Sequence, residues 1–338
     1  MVTRKDVAAR AGVSPSTVSY VISGNRPISP ETRKRVQRVM QELKYTPNAI
    51  AQSLAGSRKG IIALHFPADH RGLNTTEFEY LTAVAQRARE HGYHALLWSD
   101  PVADVDALQT MVASQMVDGL ILLEVFTQDP RIPMLRTSGA PFSLIGRPSD
   151  TDGLTWVDDD FDSLATQATD HLANLGHRDV LYLAPPLDDT ERGHGAAVRT
   201  RVALETAAAR RGLTLTRFHA ARTTRGGLDA FAHLTSLSPR PTAVLAFNEL
   251  AVSGLLRAAA TTGVTIPGDL SVVALSHADV AAEMMTPPLT TVSPSATELA
   301  FRAVDALAEL IAERDRAARG ALVQPRLTIR ASCGRAPA

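Results

Sequence analysis

The sequence predicts a small all-α headpiece followed by an α/β core of two doubly wound parallel-sheet lobes. Three observations carry that prediction. Residues 2–56 hold three short helical runs with clear start signals, then a fourth run after Tyr45-Thr46-Pro47-Asn48. From Gly60 the pattern changes to short apolar runs alternating with amphipathic ones. The charge is also split: residues 1–60 carry eleven Lys/Arg against three Asp/Glu, a balance of +8, while the 338-residue chain is neutral, which leaves −8 on the rest. A basic module on an acidic body suits a protein that lays one end on a polyanion.

The elements of the headpiece follow from its residues in order. Thr3-Arg4-Lys5-Asp6 is a capping box, with Asp6 also favouring the positive helix end. Val7, Ala8 and Ala11 form one apolar face, and Gly12 ends the helix where a left-handed residue is cheapest. Ser14-Pro15 reads as N-cap and first helical residue, with Val18, Val21 and Ile22 as the buried side. Ser29-Pro30 repeats the signal, and Val36, Met40 and Leu43 make the third stripe.

Helix, short turn, helix is the spacing of a helix-turn-helix, whose second helix enters the DNA major groove. The base-facing candidates are then Ser14, Pro15, Ser16, Thr17 and, one turn later, Tyr20. Arg26, Thr32 and Arg33 are placed for phosphates, which supply affinity without sequence choice. Thr3, Ser19, Ser29 and Tyr45 complete the DNA-facing set. On residue chemistry alone, a plain three-helix bundle with a basic solvated face has the same pattern.

The runs KDVAARAGVS-x-x-TVS, ISPETRKRV and YTPNAIAQSLAG resemble the lac repressor (LacI/GalR) family of bacterial transcription regulators, without a gap through the headpiece. The resemblance implies that Pro47–Gly56 is a hinge helix formed on operator DNA. Two copies from a dimer would lie in the minor groove there, with Leu54 as the wedge and Asn48 and Ala51 beside it. A helix of about ten residues is marginal alone, so it can couple DNA binding to the body, and an apolar wedge is a known way to kink DNA. Many members carry arginine where this chain has Tyr20. Arginine reads guanine with two hydrogen bonds and tyrosine can make only one, so the preferred operator is expected to differ.

In the body, strands are expected at Ile61–Phe66, Tyr93–Trp98, Gly119–Leu123, Phe142–Ile145, Val180–Ala184, Leu213–Phe218, Ala243–Phe247 and Ser271–Leu275. Helices are expected at Glu77–His91, Val105–Val117, Phe161–Leu175, Ala196–Arg211, Glu249–Thr262 and Ser295–Arg314. So many strands exceed one compact open sheet of this kind, hence two lobes. The resemblance implies a periplasmic-binding-protein-like core crossed three times by the chain, near Asp158–Phe161, near Pro287–Thr291 and again after the return helix. The expected division is 1–46 headpiece, 47–58 hinge, 59–160 with 291–320 first lobe, 161–290 with 321–331 second lobe, and 332–338 tail.

Parallel sheets bind ligands at the C-terminal ends of their strands. The effector candidates are therefore Arg71, Trp98, Glu124, Arg147, His194, Arg199, Asn248, Glu249, Ser276 and His277. Arg199 competes with Arg201 for the arginine that the family places before a glycine-aromatic pair, a pair absent here (Ala203-Leu204). The family's usual aspartate after the Ser271–Leu275 strand is replaced by Ser276-His277, and ADHRGLNTTEFEY departs from common family wording. The Asp158-Asp159-Asp160 run reads as a helix cap from Asp160 or Asp162 rather than a cation site.

The remaining features bound the function. The sole cysteine, Cys333, rules out a disulfide framework and fits a reducing cytoplasm. Neither a secretory signal nor a membrane span is expected. No G-x-x-x-x-G-K-[ST], H-E-x-x-H or G-x-S-x-G motif occurs, and the ten histidines show no ligand spacing, so no enzyme, cofactor or metal is expected. The expectation is a homodimeric repressor on double-stranded operator DNA, released by a sugar or sugar-like effector in the interlobe cleft. A corepressor mode, a solute-binding protein and an α/β enzyme with a nucleic-acid module are the alternatives.

Overall fold

In this computed structural model the described residues are 2–23, 26–45, 59–67, 74–313 and 316–337. They divide into two compact units, Met1–Ile61 with Gln115–Asp118, and Ile62–Ser114 with Gly119–Ala338. Each is described by itself.

The first unit holds α1 (Arg4–Ala11), α2 (Pro15–Ser23) and α3 (Pro30–Glu42). Thr3 makes the expected capping box: its amide and hydroxyl both donate to the Asp6 carboxylate at 2.7 Å. Gly12 takes the left-handed conformation at φ 61°. Val7, Ala8, Ala11, Val18, Val21, Val36 and Val39 form the small core. Val39, not foreseen, is buried on α3, while Met40 and Leu43 pack at its margin. The expected hinge, 47–58, lies outside the described residues.

In the second unit, the first lobe is built from β1 (Ile61–His65), α4 (Thr75–Glu90), β2 (His94–Trp98), α5 (Val105–Ala113), β3 (Gly119–Leu122), α6 (Arg131–Ser138), β4 (Phe142–Ile145) and β5 (Trp156–Asp159). The second follows as α7 (Phe161–Asn174), β6 (Asp179–Ala184), α8 (Leu187–Glu191), α9 (Gly195–Arg211), β7 (Thr214–His219), α10 (Thr224–Ser236), β8 (Ala243–Ala246), α11 (Glu249–Thr262), β9 (Ser271–Leu275), α12 (Asp279–Glu283) and β10 (Thr290–Ser293). The chain then returns through α13 (Ala296–Ala312) and β11 (Gly320–Val323), and ends on β12 (Arg326–Thr328).

The strand order is β2-β1-β3-β4-β5-β11 in one sheet and β7-β6-β8-β9-β10-β12 in the other. Both lobes therefore repeat the same doubly wound order, and β12 runs antiparallel to β10, whereas the other described strand pairings are parallel. The apolar runs are short and continuous because each sheet is covered on both faces. Leu181, Val244 and Val272 point to α10 and α11, while Val180, Leu245 and Val273 point to α7 and α9. In the first lobe, Leu299, Ala303, Val304 and Leu307 of α13 pack with Ala83, Val84 and Ala88 of α4 over Ile62 and Ile121.

The expected lobe boundaries need correction. Thr290–Ser293 pairs with β9, so the second crossing falls at 293–296 rather than near 287–291. Gly320–Val323 pairs with β5, so residues 321–323 belong to the first lobe and the third crossing lies between Val323 and Arg326. Several elements were not foreseen. β5 hides behind its aspartates, and pairing with β4 and β11 makes it a strand. α10 hides behind Gly226 and Gly227. A Cβ on Gly227 would run into the Ala251 carbonyl oxygen, and one on Gly254 into that of Thr224, so the glycines permit a close α10–α11 contact.

Candidate functional site

The headpiece spreads its candidate residues over all three helices and their ends, with the base-facing ones at the start of α2, and many of their polar groups already have structural work. Ser14 caps α2, its Oγ accepting from the Thr17 amide at 3.1 Å and meeting the Thr17 hydroxyl at 2.9 Å. Ser19 donates to the Pro15 carbonyl and accepts from Arg4 at 2.9 Å, tying α2 to α1. Ser29 caps α3, accepting from the Thr32 amide and donating to the Thr32 hydroxyl at 2.9 Å. Pro15, Ser16 and Arg33 remain exposed. The Arg26 guanidinium lies 5.2 Å from the Tyr20 ring centroid, a cation–π pair that joins a base candidate to a phosphate candidate. Tyr45 is half-buried against the headpiece core. Asn48, Ala51 and Leu54 lie outside the described residues.

The body has a cavity of about 160 Å³ at the C-terminal strand ends of both sheets. Glu124, His194, Asn248, Glu249, Ser276 and His277 of the effector candidates line it together. Arg71 lies outside the described residues. Trp98, Arg147 and Arg199 are not brought to the cavity wall. The two arginines instead face one carboxylate, Asp158, at 3.5 Å and 3.7 Å. Arg199 also donates to the Pro148 carbonyl, and Arg147 lies 5.0 Å from the Trp156 ring. Arg201 pairs outward with Glu205, so of the competing pair Arg199 is the inward one.

Direct bonds stitch the two lobes across this cavity. Glu249, at the start of α11, accepts from the Thr75 amide at 3.0 Å and from the Thr76 hydroxyl at 2.5 Å. The same Thr76 oxygen accepts from the Ala278 amide at 2.8 Å. Ser276 donates to Asp159 at 3.2 Å, and His194 meets Glu124 at 3.0 Å. Phe126 and His194 form a β-bridge, reinforced by Gly195 N–H to the Val125 carbonyl and Thr127 N–H to the Gly193 carbonyl at 2.7 Å. Glu124 and Ser276 both adopt positive φ, at 52° and 53°. That costs a non-glycine residue roughly 1 kcal/mol or more and is a common mark of functional loops.

A buried arginine holds the loop after β3. Arg131 donates to Asp129 through Nε and Nη2, to the carbonyls of Leu123 and Glu124, and contacts His65 Nδ1 at 2.7 Å. Burial, with the Arg131 charge beside it, pulls His65 down to about 4, so His65 is neutral at pH 7.

Sequence reasoning missed several cavity residues. Burial pushes Asp159 up to about 8, with the Asp158 charge adding to it, and burial pushes Asp158 up to about 6. Both had been absorbed into a cap reading; Asp160 in fact makes the cap, accepting from the Ser163 amide at 2.9 Å. Thr76, Glu77 and Tyr80 come from the first turns of α4, whose preceding ADHRGLN wording was the available signal. Arg222 left no pattern at all. It donates to Asp189 at 2.6 Å and lies 4.0 Å from Glu77 across the cleft. Burial works against its charge, but Glu124, Asp189 and Glu77 outweigh that and hold the guanidinium above its ordinary value.

Comparison with known proteins adds to this geometry. Residues 3–48 match the family model "Bacterial regulatory proteins, lacI family", and residues 169–333 match "Periplasmic binding protein-like domain". The chain is 32% identical over 320 residues to the HTH-type transcriptional regulator CelR of Thermobifida fusca, covering 92% of this chain and 91% of that one. It is 30% identical over 333 residues to the ribose operon repressor of Escherichia coli K12, covering 93% and 94%. Among solved structures, the lac repressor dimer bound to operator and an anti-inducer aligns with TM-score 0.82 at 26% identity, covering 98% of each chain. A CelR–cellobiose complex aligns with TM-score 0.72 at 27% identity, covering 98% and 100%.

Proposed function

The chain belongs to the lacI family of bacterial regulatory proteins, DNA-binding transcriptional regulators rather than enzymes, and from that premise we propose that it is a homodimeric, effector-released repressor working in the cytoplasm. Each headpiece takes half of a pseudo-palindromic operator, with α2 in the major groove and 47–58 as the hinge helix carrying Leu54. A small neutral sugar-like molecule occupies the strand-end cavity. Relatives point the same way, since one solved neighbour carries cellobiose and one relative is a ribose operon repressor.

The observation that carries the reading is the stitched cavity itself. Its walls come from both lobes, and Glu249, Thr76, Ser276 and Asp159 are at once lining residues and interlobe bonds. Any molecule that engages them changes how the lobes lie, and a ligand shifts an equilibrium only through such differential contacts. By linkage, DNA and effector then alter each other's affinity by the same factor. Tyr80, Phe66 and Phe247 give apolar surface beside these polar groups, as sugar sites require.

A dimer is supported by apolar residues left outside the body. Phe78 on α4 is 59% exposed, Val280 on α12 59% and Met284 at the C-terminal end of α12 76%, and the two helices touch. Exposed apolar residues on two touching helices offer a candidate partner face, and a two-fold pair presents the same face twice.

The test is a salt titration of DNA binding. The protein should prefer DNA from its own promoter region over random DNA of equal length, and a sugar identified by thermal shift should weaken only the specific complex. Leu54→Ala should reduce operator affinity far more than random-DNA affinity. Equal binding to both DNAs at every salt concentration would sink the reading.

A further inference from the structure

We propose that the body carries a second small-molecule site, behind the wall formed by Thr76, Tyr80, Ser276 and His277, which takes an uncharged polyhydroxyl compound. Those four residues line the strand-end cavity and also a separate cavity of about 460 Å³. The second volume falls within the roughly 300–1,000 Å³ usual for small-molecule sites.

Its walls explain the ligand class. Three carboxylates face it, Glu79, Asp279 and Glu298. Each is already engaged through one oxygen: Glu79 accepts from Thr297 at 3.0 Å, Asp279 from Arg330 at 2.6 Å and from Thr291 at 3.5 Å, and Glu298 pairs with Arg302 at 2.6 Å. A carboxylate with one oxygen engaged still offers the other to a hydroxyl donor. Arg326 and Thr328 of β12 supply donors from the opposite wall. Arginines that back or face the three carboxylates leave the site close to neutral. An anion would meet the carboxylates and a cation the arginines, while a neutral polyol can donate to one set and accept from the other.

Two observations say the cavity is unsatisfied as it stands. The Ser293 hydroxyl lines it and is buried without a hydrogen-bond partner among the described residues. His277 is 4% exposed, lines it, and has both ring nitrogens unpartnered among the described residues. Buried polar atoms cost about 1–3 kcal/mol each when left unpaired, and a hydroxyl-bearing ligand or water relieves that.

The position gives the site regulatory reach. It touches α4 of the first lobe, α12, β10 and β12 of the second, and both later crossings through Ser295 and Gln324; Val280 of the proposed dimer face is also in its lining, so the site and that face share α12. Thr76 and Ser276, in the shared wall, make the interlobe bonds to Glu249 and Asp159. An occupant therefore bears on the same contacts as a molecule in the strand-end cavity, and the two sites are coupled.

Calorimetric titration of the full chain with D-ribose, maltose and cellobiose tests this. At least one sugar should bind at a site that survives Asn248→Ala in the strand-end cavity. Thr328→Trp, which fills the second cavity, should abolish that binding, and Arg326→Ala should weaken it about tenfold. Melting curves without sugar check that both variants remain folded. A sugar that ignores Asn248→Ala but responds to both β12 variants upholds the second site even if the strand-end reading fails. The proposal is overturned if no sugar binding is altered by either β12 variant, or if all binding is lost with Asn248→Ala.

Discussion

The stretch of α2 proposed to face DNA and the cavity proposed to hold the effector are built in opposite ways. The first is contiguous: Ser14 to Tyr20 spans under two turns, stays largely at the surface, and is held by a cap between residues three apart and a hydroxyl–carbonyl bond between residues four apart. The second is assembled from the ends of strands and helices far apart in sequence, and its bonds span separations such as 174 residues from Thr75 to Glu249. A contiguous reader can be changed residue by residue with local consequences. A cavity assembled from two lobes ties its shape to their relative position, and on the proposed reading the same residues would serve binding and signalling.

The largest expected effect comes from breaking the assembled side. Arg131→Leu strands Asp129 and removes the donors to the Leu123 and Glu124 carbonyls. Loss of one partner of a buried ion pair costs about 3–5 kcal/mol, which for a body of this size lowers its melting temperature by on the order of 10 °C in calorimetry. Binding to random DNA should change little. Equal loss in both would end the contrast between the two regions.

The next effect is on pH dependence. Asp159 and Asp158 have folded values of about 8 and about 6, raised above the ordinary carboxylate value of 3.8. The folded body therefore holds protons that the unfolded chain has released. Stability is fully present below about pH 4 and falls as pH rises, from both groups to pH 6 and from Asp159 alone to pH 8. Each proton contributes a slope of at most about 1.4 kcal/mol per pH unit. Thermal melts of wild type against Asp159→Asn should show the variant flatter between pH 6 and 8. An unchanged slope would mean that Asp159 is ionised in the folded protein.

The smallest effect sharpens the local side. Ser14→Ala removes a helix cap, worth about 1 kcal/mol, and should weaken DNA binding while leaving the body's melting transition in place. A shift of the body transition would show that the headpiece is less autonomous than its local caps imply.

This contrast also explains what could be read from the chain. Headpiece caps at Thr3, Ser14 and Ser29 are sequence-local, so their residues sit where expected. Eight body strands were legible from apolar runs with ends within a residue or two. β5, β10 and β12 were not, because short polar strands are defined by their neighbours rather than by their own composition, and the four apolar residues of β11 are defined as a strand by pairing with β5. The cavity was half legible: strand ends such as Asn248 and Ser276 follow from parallel-sheet logic, whereas Arg222 and Glu77 face it from a loop and a helix. Trp98, Arg147 and Arg199 had the right address along the chain, but side-chain direction is decided by partners such as Asp158.

The bonds from Glu249 to Thr75 and Thr76 carry a kinetic consequence. They join the lobes at the cavity that the proposed effector would enter, so on that reading entry requires this junction to part. Entry then has a ceiling set by the protein: the observed association rate should level off at high effector concentration instead of rising in proportion. Thr76→Val, which removes the hydroxyl that donates to Glu249 and accepts from Ala278, would raise that ceiling, making the induction response faster while the DNA-facing surface stays as it was.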